Sequence, residues 1–168
     1  MKTTTLAKLR EHKACKPSYD LIAAHAGEDF EGEITLEKAL EVLSLKDCIW
    51  ALRTLEGGAE IAVEFAIRVV YPLGSVVWKV WADKWLSGED RSKESARAAQ
   101  NDAAYIARVT SYAARATSYA ATNARLAHHA AVHAFNAANH ASYAATATAK
   151  DEPAEIARQT EILKELLE

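Results

Sequence analysis

Three groups of side chains in this sequence have the types and spacing for binding or catalysis. The first is a stripe in which tyrosine recurs every seven residues and an arginine follows three residues after each of the first two tyrosines. Its members are Tyr105, Arg108, Tyr112, Arg115 and Tyr119. Tyrosine and arginine are favoured at protein interfaces, and they also stack on bases and hold phosphates. The stripe predicts a binding surface, with rings that simply cover a helix–helix seam as the alternative.

The second group is acidic and lies in a predicted loop over residues 28–33. It consists of Glu28, Asp29, Glu31 and Glu33. Charge complementarity raises the rate of association with an oppositely charged partner. The loop therefore predicts a surface that could occlude a basic protein such as a nuclease, and with the tyrosine–arginine stripe it completes our set of predicted binding residues.

The third group consists of histidines and cysteines. His129 and His133 are four residues apart, a spacing that can hold Zn²⁺ or Ni²⁺ on a helix. The HExxH pattern is absent because Ala130 follows His129, and no acidic residue lies between Asp102 and Asp151. The sequence therefore predicts no metal site and no cofactor, with the His129–His133 pair as the alternative.

His12 and Cys15 are three residues apart on a predicted first helix, where they could act as base and nucleophile. The sequence contains no oxyanion motif to accompany them, and it lacks a P-loop, GxGxxG or GxSxG pattern. Cys15 and Cys48 are also too few for a disulfide framework. We predict a protein that is not an enzyme, in which Cys15 is buried and behaves as a small hydrophobic residue.

The elements that must position these residues are helices. Among 168 residues there are 36 alanines but six glycines and three prolines, which favours helix over a turn-rich β fold. We predict an all-α fold with a single domain, 1–168, in which residues 1–88 form a tryptophan-containing core, 90–150 form alanine-rich helices and 153–167 form a C-terminal helix. Capping residues, prolines and glycines bound the other predicted helices, which are Leu6–Cys15, Ser18–Ala26, Leu36–Leu43, Leu45–Leu55, Ala59–Tyr71 and Ser75–Leu86.

Two helix faces carry the packing predictions. Trp78, Trp81 and Trp85 share one face and predict core. After residue 100, two columns three residues apart are nearly all alanine at seven-residue spacing, which is typical of a coiled-coil seam built from small residues. The pattern leaves open whether this seam pairs within one chain or between two, and whether the long helix breaks near Thr122–Asn123, Asn136–Asn139 or Thr146–Thr148.

Charge and hydropathy limit the partners. The formal net charge is −3, which argues against direct nucleic-acid binding. The start of the chain lacks the apolar run of a signal peptide, and no apolar stretch reaches 18 residues. We therefore expect a cytoplasmic protein with no membrane partner.

Several segments in order along the chain resemble the Imm-5-like immunity proteins of bacteria and their phages. They are Leu9–Cys15 (LREHKAC), Asp47–Arg53 (DCIWALR), the apolar helix Ala62–Tyr71, Trp85–Gly88 (WLSG) and the alanine/tyrosine repeat after Arg97. The resemblance implies a helical, non-enzymatic protein that protects against a toxin or effector by binding it, and it brings no catalytic residues to transfer. This chain departs from the repeat at Leu126, His128, His129, Phe135 and Asn139.

Two hypotheses for function follow. The first is an immunity or phage counter-defence protein that neutralises a protein partner through the stripe or the acidic loop. The alternative is a protein that sequesters a nucleotide between alanine-rich helices, with tyrosines stacking on the base and arginines holding phosphate.

Overall fold

A computed structural model describes residues 2–27, 32–92, 94–100, 138–139, 141–143, 145–147, 149 and 151–168. These residues are predominantly helical and include one two-stranded sheet, which confirms the all-α prediction. None of the helices within these ranges combines the length and apolar character needed to cross a membrane.

The first half of the described chain alternates short helices with two very short strands. The elements are β1 (Thr3–Thr4), α1 (Leu6–Glu11), α2 (Lys16–Ala26), β2 (Ile34–Thr35), α3 (Leu36–Ala39) and α4 (Leu45–Ala51). The strands pair antiparallel, with Thr3 opposite Thr35 and Thr4 opposite Ile34. This sheet was not predicted, because two-residue strands have no periodicity to detect.

The later helices are longer. They are α5 (Gly58–Val70), α6 (Val76–Ser87) and the C-terminal α7 (Glu152–Leu167), with 3₁₀ turns at Leu52–Thr54 and Tyr71–Leu73. Residues 94–100 and the described residues between 138 and 147 are also helical.

Side-chain caps begin most of these helices where the sequence predicts. The hydroxyls of Thr5, Thr35 and Ser44 each accept a hydrogen bond from the backbone N–H three residues later. Ser75 does the same for α6, and Pro17 and Pro153 lie in the first turns of α2 and α7. Each cap pairs a donor that the helix itself leaves without a partner.

The first helix is shorter than the predicted Leu6–Cys15. It ends at Glu11, because Lys13 adopts the left-handed conformation, with φ of 60°. The N–H of Lys13 donates to the carbonyl of Arg10 (3.0 Å), and the N–H of Ala14 donates to that of Leu9 (2.9 Å). These two bonds form a Schellman motif, whose left-handed position is usually glycine. Because this position holds lysine and not glycine, the sequence pattern did not predict the end of the helix.

Two further predicted helices are also shorter in the structure. The predicted Leu36–Leu43 helix ends as α3 at Ala39 and continues as turns. The predicted Leu45–Leu55 helix changes from α4 to a 3₁₀ turn at Leu52. In that turn the hydroxyl of Thr54 donates to the carbonyl of Ala51 (2.8 Å), which satisfies an acceptor at the end of α4.

One cluster of buried side chains joins the elements. Helix α5 contributes more of it than any other described helix, including Phe65 and Ile67, and Trp78, Trp81 and Trp85 of α6 are buried as predicted. Leu163 and Leu167 of α7 are buried in the same cluster. The Nη2 of Arg158 in α7 also donates to the Val69 carbonyl of α5 (2.8 Å), which adds a polar tie beside the apolar contact.

The described alanine-rich residues are buried along one face. Ala138, Ala141 and Ala145 are spaced three and four residues apart and belong to the core cluster. Ala141 is a member of one of the predicted alanine columns. Gln159 of α7 is fully buried beside this segment, where its side-chain amide bonds to Ser142, Thr146 and Glu155.

Candidate ligand-binding pocket

Most of the predicted binding residues lie outside the described part of the chain. These are Tyr105, Arg108, Tyr112, Arg115, Tyr119, Glu28, Asp29 and Glu31, together with His129 and His133 of the alternative metal pair. Glu33 is described and exposed, and its carboxylate accepts a hydrogen bond from the Thr3 hydroxyl (2.9 Å) across the small sheet.

A pocket of about 270 Å³ lies between the α1–α2 turn, α2 and α4. Its lining is Leu9, Lys13, Ala14, Cys15, Ser18, Tyr19, Ile22, Leu43, Lys46, Asp47, Trp50, Ala51 and Asn139. The apolar members form a partly buried floor, and the polar ones are exposed or half-buried. A mostly apolar concavity with a few polar groups is typical of small-molecule sites.

The first wall is built by the Schellman motif. Because the chain reverses at Lys13, Cys15 becomes the N-terminal cap residue of α2, and Ser18 and Tyr19 follow in its first turn. Tyr19 is held in place by Arg10, whose Nη2 donates to the tyrosine oxygen (2.7 Å) and whose guanidinium lies 5.3 Å from the ring centre. This wall therefore offers a lysine, a thiol, a hydroxyl and a fixed aromatic ring.

The second wall is the outer face of α4. The Ser44 hydroxyl caps the N–H of Asp47 (3.2 Å) and donates to the Asp47 carboxylate (2.6 Å), which fixes that carboxylate at the start of the helix. One turn later Trp50 lies half-buried, with the Arg53 guanidinium 5.7 Å from its ring centre. Arg53 thus takes part in a cation–π contact with this ring.

The two cysteines differ sharply. Cys15 is exposed in the pocket, so the prediction that it is buried is wrong, whereas Cys48 is buried on the inner face of α4. Burial, together with the neighbouring Asp47 charge, raises the pKa of the Cys48 thiol to about 12. Cys48 is therefore protonated and unreactive near neutral pH, since the thiolate is the nucleophile. Cys15 is the thiol that a reagent or a ligand in the pocket can meet.

The suggested His12–Cys15 pair is not brought together as a helical i, i+3 pair. His12 caps the end of α1, and Cys15 lies beyond the left-handed residue, so the assumption that both share one helix is wrong. The sulfur of Cys15 lies 3.0 Å from the Ser18 oxygen, with either atom able to donate the proton. A neighbouring hydroxyl does not activate a thiol as a general base would.

Metal-binding groups do not cluster in the part of the chain that is described. There, no three histidine, cysteine, aspartate or glutamate side chains lie close enough together to hold an ion. The His129–His133 alternative falls outside these residues and stays a prediction.

The sequence analysis identified one segment from each wall of the pocket, but it did not predict that the two segments lie side by side. Leu9–Cys15 and Asp47–Arg53 are the two segments on which the family resemblance chiefly rests, and residues of both line this one pocket. A signal was present around the segments, because a lysine, a small polar residue and an aromatic ring lie near each of two helix starts. They are Lys13, Ser18 and Tyr19 near the start of α2, and Lys46, Ser44 and Trp50 near the start of α4. Their meeting depends on how α2 packs against α4, which neither segment encodes alone.

Comparison of the chain with protein-family models, with curated proteins and with solved structures gives no match. The resemblance to Imm-5-like proteins accordingly stays a prediction, and the arguments for function rest on the pocket itself.

Proposed function

We propose that this protein is a non-enzymatic binding protein that takes up a small organic anion in the pocket between the α1–α2 turn and α4. The observation that carries the proposal is the pairing of a lysine from each wall, Lys13 and Lys46, over an apolar floor with two aromatic rings. This is the sequestering alternative from the sequence, moved from the alanine-rich helices to the N-terminal pocket.

The sign of the ligand charge follows from the lining. Lys13 and Lys46 are exposed at the pocket rim, and the acidic group beside them, Asp47, already accepts a hydrogen bond from Ser44. A bound anion would meet two ammonium groups whose attraction is strengthened by the low-dielectric floor. Within the described lining, a cation would have to compete with both lysines for the carboxylate of Asp47.

The ligand also needs an apolar part. Leu9, Ile22 and Leu43 are buried members of the lining, and Tyr19 and Trp50 are half-buried. Aromatic side chains bury a large area and favour planar partners. Inorganic phosphate would leave this surface wet, whereas an aromatic or aliphatic acid would cover it.

Binding is favoured over catalysis by the surroundings of Cys15. The Cys15 sulfur lies 3.0 Å from the Ser18 hydroxyl oxygen, and His12 belongs to the end of another helix. Covalent catalysis needs a nucleophile beside a base that is itself oriented by a third group. The thiol instead serves as a natural reporter of whether the pocket is occupied.

Protection of Cys15 from alkylation tests the proposal. Native protein is treated with iodoacetamide in the presence of a panel of aromatic and aliphatic carboxylates and mononucleotides, and the labelled cysteine is identified by mass spectrometry. We expect at least one anion to slow Cys15 labelling and raise the melting temperature, since a ligand that binds only the folded state stabilises it. Buried Cys48 is the internal control and should stay unlabelled throughout.

Charge removal provides the second arm of this test. Lys13→Gln and Lys46→Gln should each weaken protection about 10-fold or more, as expected for the loss of a charge-assisted contact. Lys8→Gln is the matched control, because Lys8 is an exposed lysine of α1 that does not line the pocket. If every anion in the panel leaves both the labelling rate and the melting temperature unchanged, the proposal is wrong.

A second candidate function is the immunity role implied by the Imm-5-like resemblance, in which the occupant is a side chain of a toxin, effector or defence protein. The observation that favours it is the meeting of Leu9–Cys15 and Asp47–Arg53 at one pocket. Pull-down from a lysate with wild type and Lys46→Glu tests this role, with reversal of the acidic charges in residues 28–33 as a separate arm. Capture that survives both changes would exclude both surfaces.

A cytoplasmic location is part of this proposal and is checked by cell fractionation.

A further inference from the structure

A second cavity lies next to the pocket and is not used by the function proposed above. It is an open trough of about 440 Å³ between the start of α4, the described helical residues from 138 to 147, and the first turns of α7. Its lining is Ser44, Leu45, Lys46, Asn139, Ser142, Tyr143, Thr146 and Ile156.

The pocket and the trough meet at shared residues. Lys46 of α4 and Asn139 line both cavities, so the two spaces adjoin at this pair of side chains. A ligand that contacts Lys46 from the pocket is therefore next to the trough. A molecule bound in the pocket can therefore extend past Lys46 and Asn139 into the trough.

Size favours a molecule that occupies both. Pockets that enclose a drug-sized ligand usually measure about 300–1,000 Å³. The pocket alone, at about 270 Å³, falls just short of this range, whereas the trough adds about 440 Å³ beside it. An occupant confined to the pocket would be small and weakly held, because affinity per atom has an upper bound.

The described lining of the trough is mostly apolar, and its charged side chain is positive. Most of its lining area is apolar, and two of its large side chains are unusually exposed: Tyr143 at 74% and Ile156 at 40%. Among the described lining residues, the polar members are hydroxyls and an amide, and the charged member is Lys46. Because none of these described residues is acidic, the trough suits the apolar portion of an anion whose charged end lies at Lys46.

We infer that the pocket and the trough form one extended site for an organic anion with an apolar chain. The anionic group contacts Lys46 and Lys13, and the chain passes Asn139 and lies against Tyr143 and Ile156. This inference rests on the proposed function, because it assigns the class of ligand to the same pocket. It adds that affinity grows with the length of the apolar chain, through contacts on the second cavity.

A homologous series of probes tests the inference. Butanoate, hexanoate and octanoate, with butyl and octyl phosphate as a second headgroup, are titrated below their micelle concentrations while Cys15 alkylation is followed. Each methylene that the trough buries should tighten binding by about fourfold. We expect octanoate or octyl phosphate to protect Cys15 at a concentration at least 10-fold lower than its four-carbon counterpart.

Substitutions in the trough separate this effect from general stickiness. Tyr143→Ser and Ile156→Ser should remove most of the chain-length gain while leaving protection by the four-carbon probes unchanged. Val77→Ser is the matched control, because Val77 is 63% exposed on α6 and lines neither cavity. Exposed positions of this kind tolerate substitution, so the variants should fold.

The outcomes distinguish the two levels of the argument. Equal protection by short and long probes, or a chain-length gain that survives both trough substitutions, overturns the extended site and leaves the anion pocket standing. Failure of every probe to protect Cys15, together with no shift from the wider anion panel, overturns the pocket as well. A gain that disappears in Tyr143→Ser and Ile156→Ser but persists in Val77→Ser supports the extended site.

Discussion

Lys13 is the residue at which local backbone preference and the proposed function disagree. It occupies the left-handed position of a Schellman motif, with φ of 60°, where an L-residue costs roughly 1 kcal/mol and glycine costs far less. Backbone strain of this kind tends to persist where a side chain is needed for function. The ammonium group of Lys13 at the pocket rim gives a reason for the strain to be kept.

Replacing Lys13 with glycine should therefore stabilise the protein while impairing its pocket. We expect Lys13→Gly to raise the free energy of unfolding by about 0.5–1 kcal/mol, measured by urea denaturation, and to weaken anion binding. Lys8→Gly is the matched control, since Lys8 lies inside α1 and glycine there should lower the free energy of unfolding by about 0.5–1 kcal/mol. A loss of stability in both variants would contradict the assignment of strain to Lys13.

Residue types alone predicted the capped ends of helices but not this reversal. Thr5 and Ser44 are good caps in any context, because the cap bond is local and three residues long. The end of α1 depends on a lysine taking a conformation that its side chain disfavours, which propensity predicts against. Local preferences therefore predicted the starts of these helices, but they extended α1 through the turn at Lys13 that forms the first wall of the pocket.

At the scale of elements, the polar side chain of Gln159 joins α7 to the alanine-rich segment. Its Oε1 accepts a hydrogen bond from the Ser142 hydroxyl, and its Nε2 donates to the Thr146 hydroxyl (3.2 Å) and to Glu155 (2.9 Å). The residue is fully buried, so each of these bonds replaces one to water that is no longer accessible. Alanine faces pack closely but offer little directionality, and this amide fixes their register against α7.

A double-mutant cycle measures that tie. Gln159→Leu should lower the free energy of unfolding by about 1–3 kcal/mol, because it leaves buried polar partners unpaired, and Ser142→Ala should cost about 0.5–1.5 kcal/mol. The double variant should lose about 1 kcal/mol less free energy of unfolding than the two single variants added together. The reason is that each substitution removes the group that the other leaves without a hydrogen-bond partner.

The control for this cycle is Thr160→Val, because the Thr160 hydroxyl donates within α7 to the Ile156 carbonyl (2.8 Å). Its substitution should be additive with Ser142→Ala. Additivity of Gln159→Leu with Ser142→Ala, within about 0.5 kcal/mol, would contradict the direct coupling.

The whole molecule brings distant parts of the chain together in ways that the sequence pattern only partly predicts. The tryptophan face of α6 follows from spacing and is buried as predicted, in one cluster with side chains of α5 and α7. The N–H of Lys2 donates to the carbonyl of Leu167 (3.1 Å), and the N–H of Leu36 donates to the carbonyl of Lys2 (3.1 Å), so Lys2 joins the last turn of α7 to the start of α3. Such backbone contacts carry no residue-type signal, and neither does the packing that sets Lys13 and Lys46 around one cavity.

Buried Cys48 makes the stability of the whole fold depend on alkaline pH. In the unfolded chain its thiol ionises near the ordinary pKa of 9.0, whereas burial and the Asp47 charge raise the pKa to about 12 in the folded protein. Between these values the folded state binds more protons than the unfolded state, so the free energy of unfolding falls as pH rises. One group contributes a slope of at most about 1.4 kcal/mol per pH unit.

Urea denaturation from pH 8 to 10.5 under reducing conditions should show this decline in wild type and a shallower one in Cys48→Ala. The hydrogen bond from Tyr71 to Asp83 raises the pKa of Tyr71 and acts in the same direction, but it is present in both proteins and cancels in the comparison. Cys15→Ala, which removes the exposed thiol, should keep the wild-type slope. The cavity left by Cys48→Ala lowers the free energy of unfolding at every pH, but it does not affect the slope, which is the quantity compared. Equal slopes for Cys48→Ala and wild type would show that the fold does not hold the Cys48 thiol protonated.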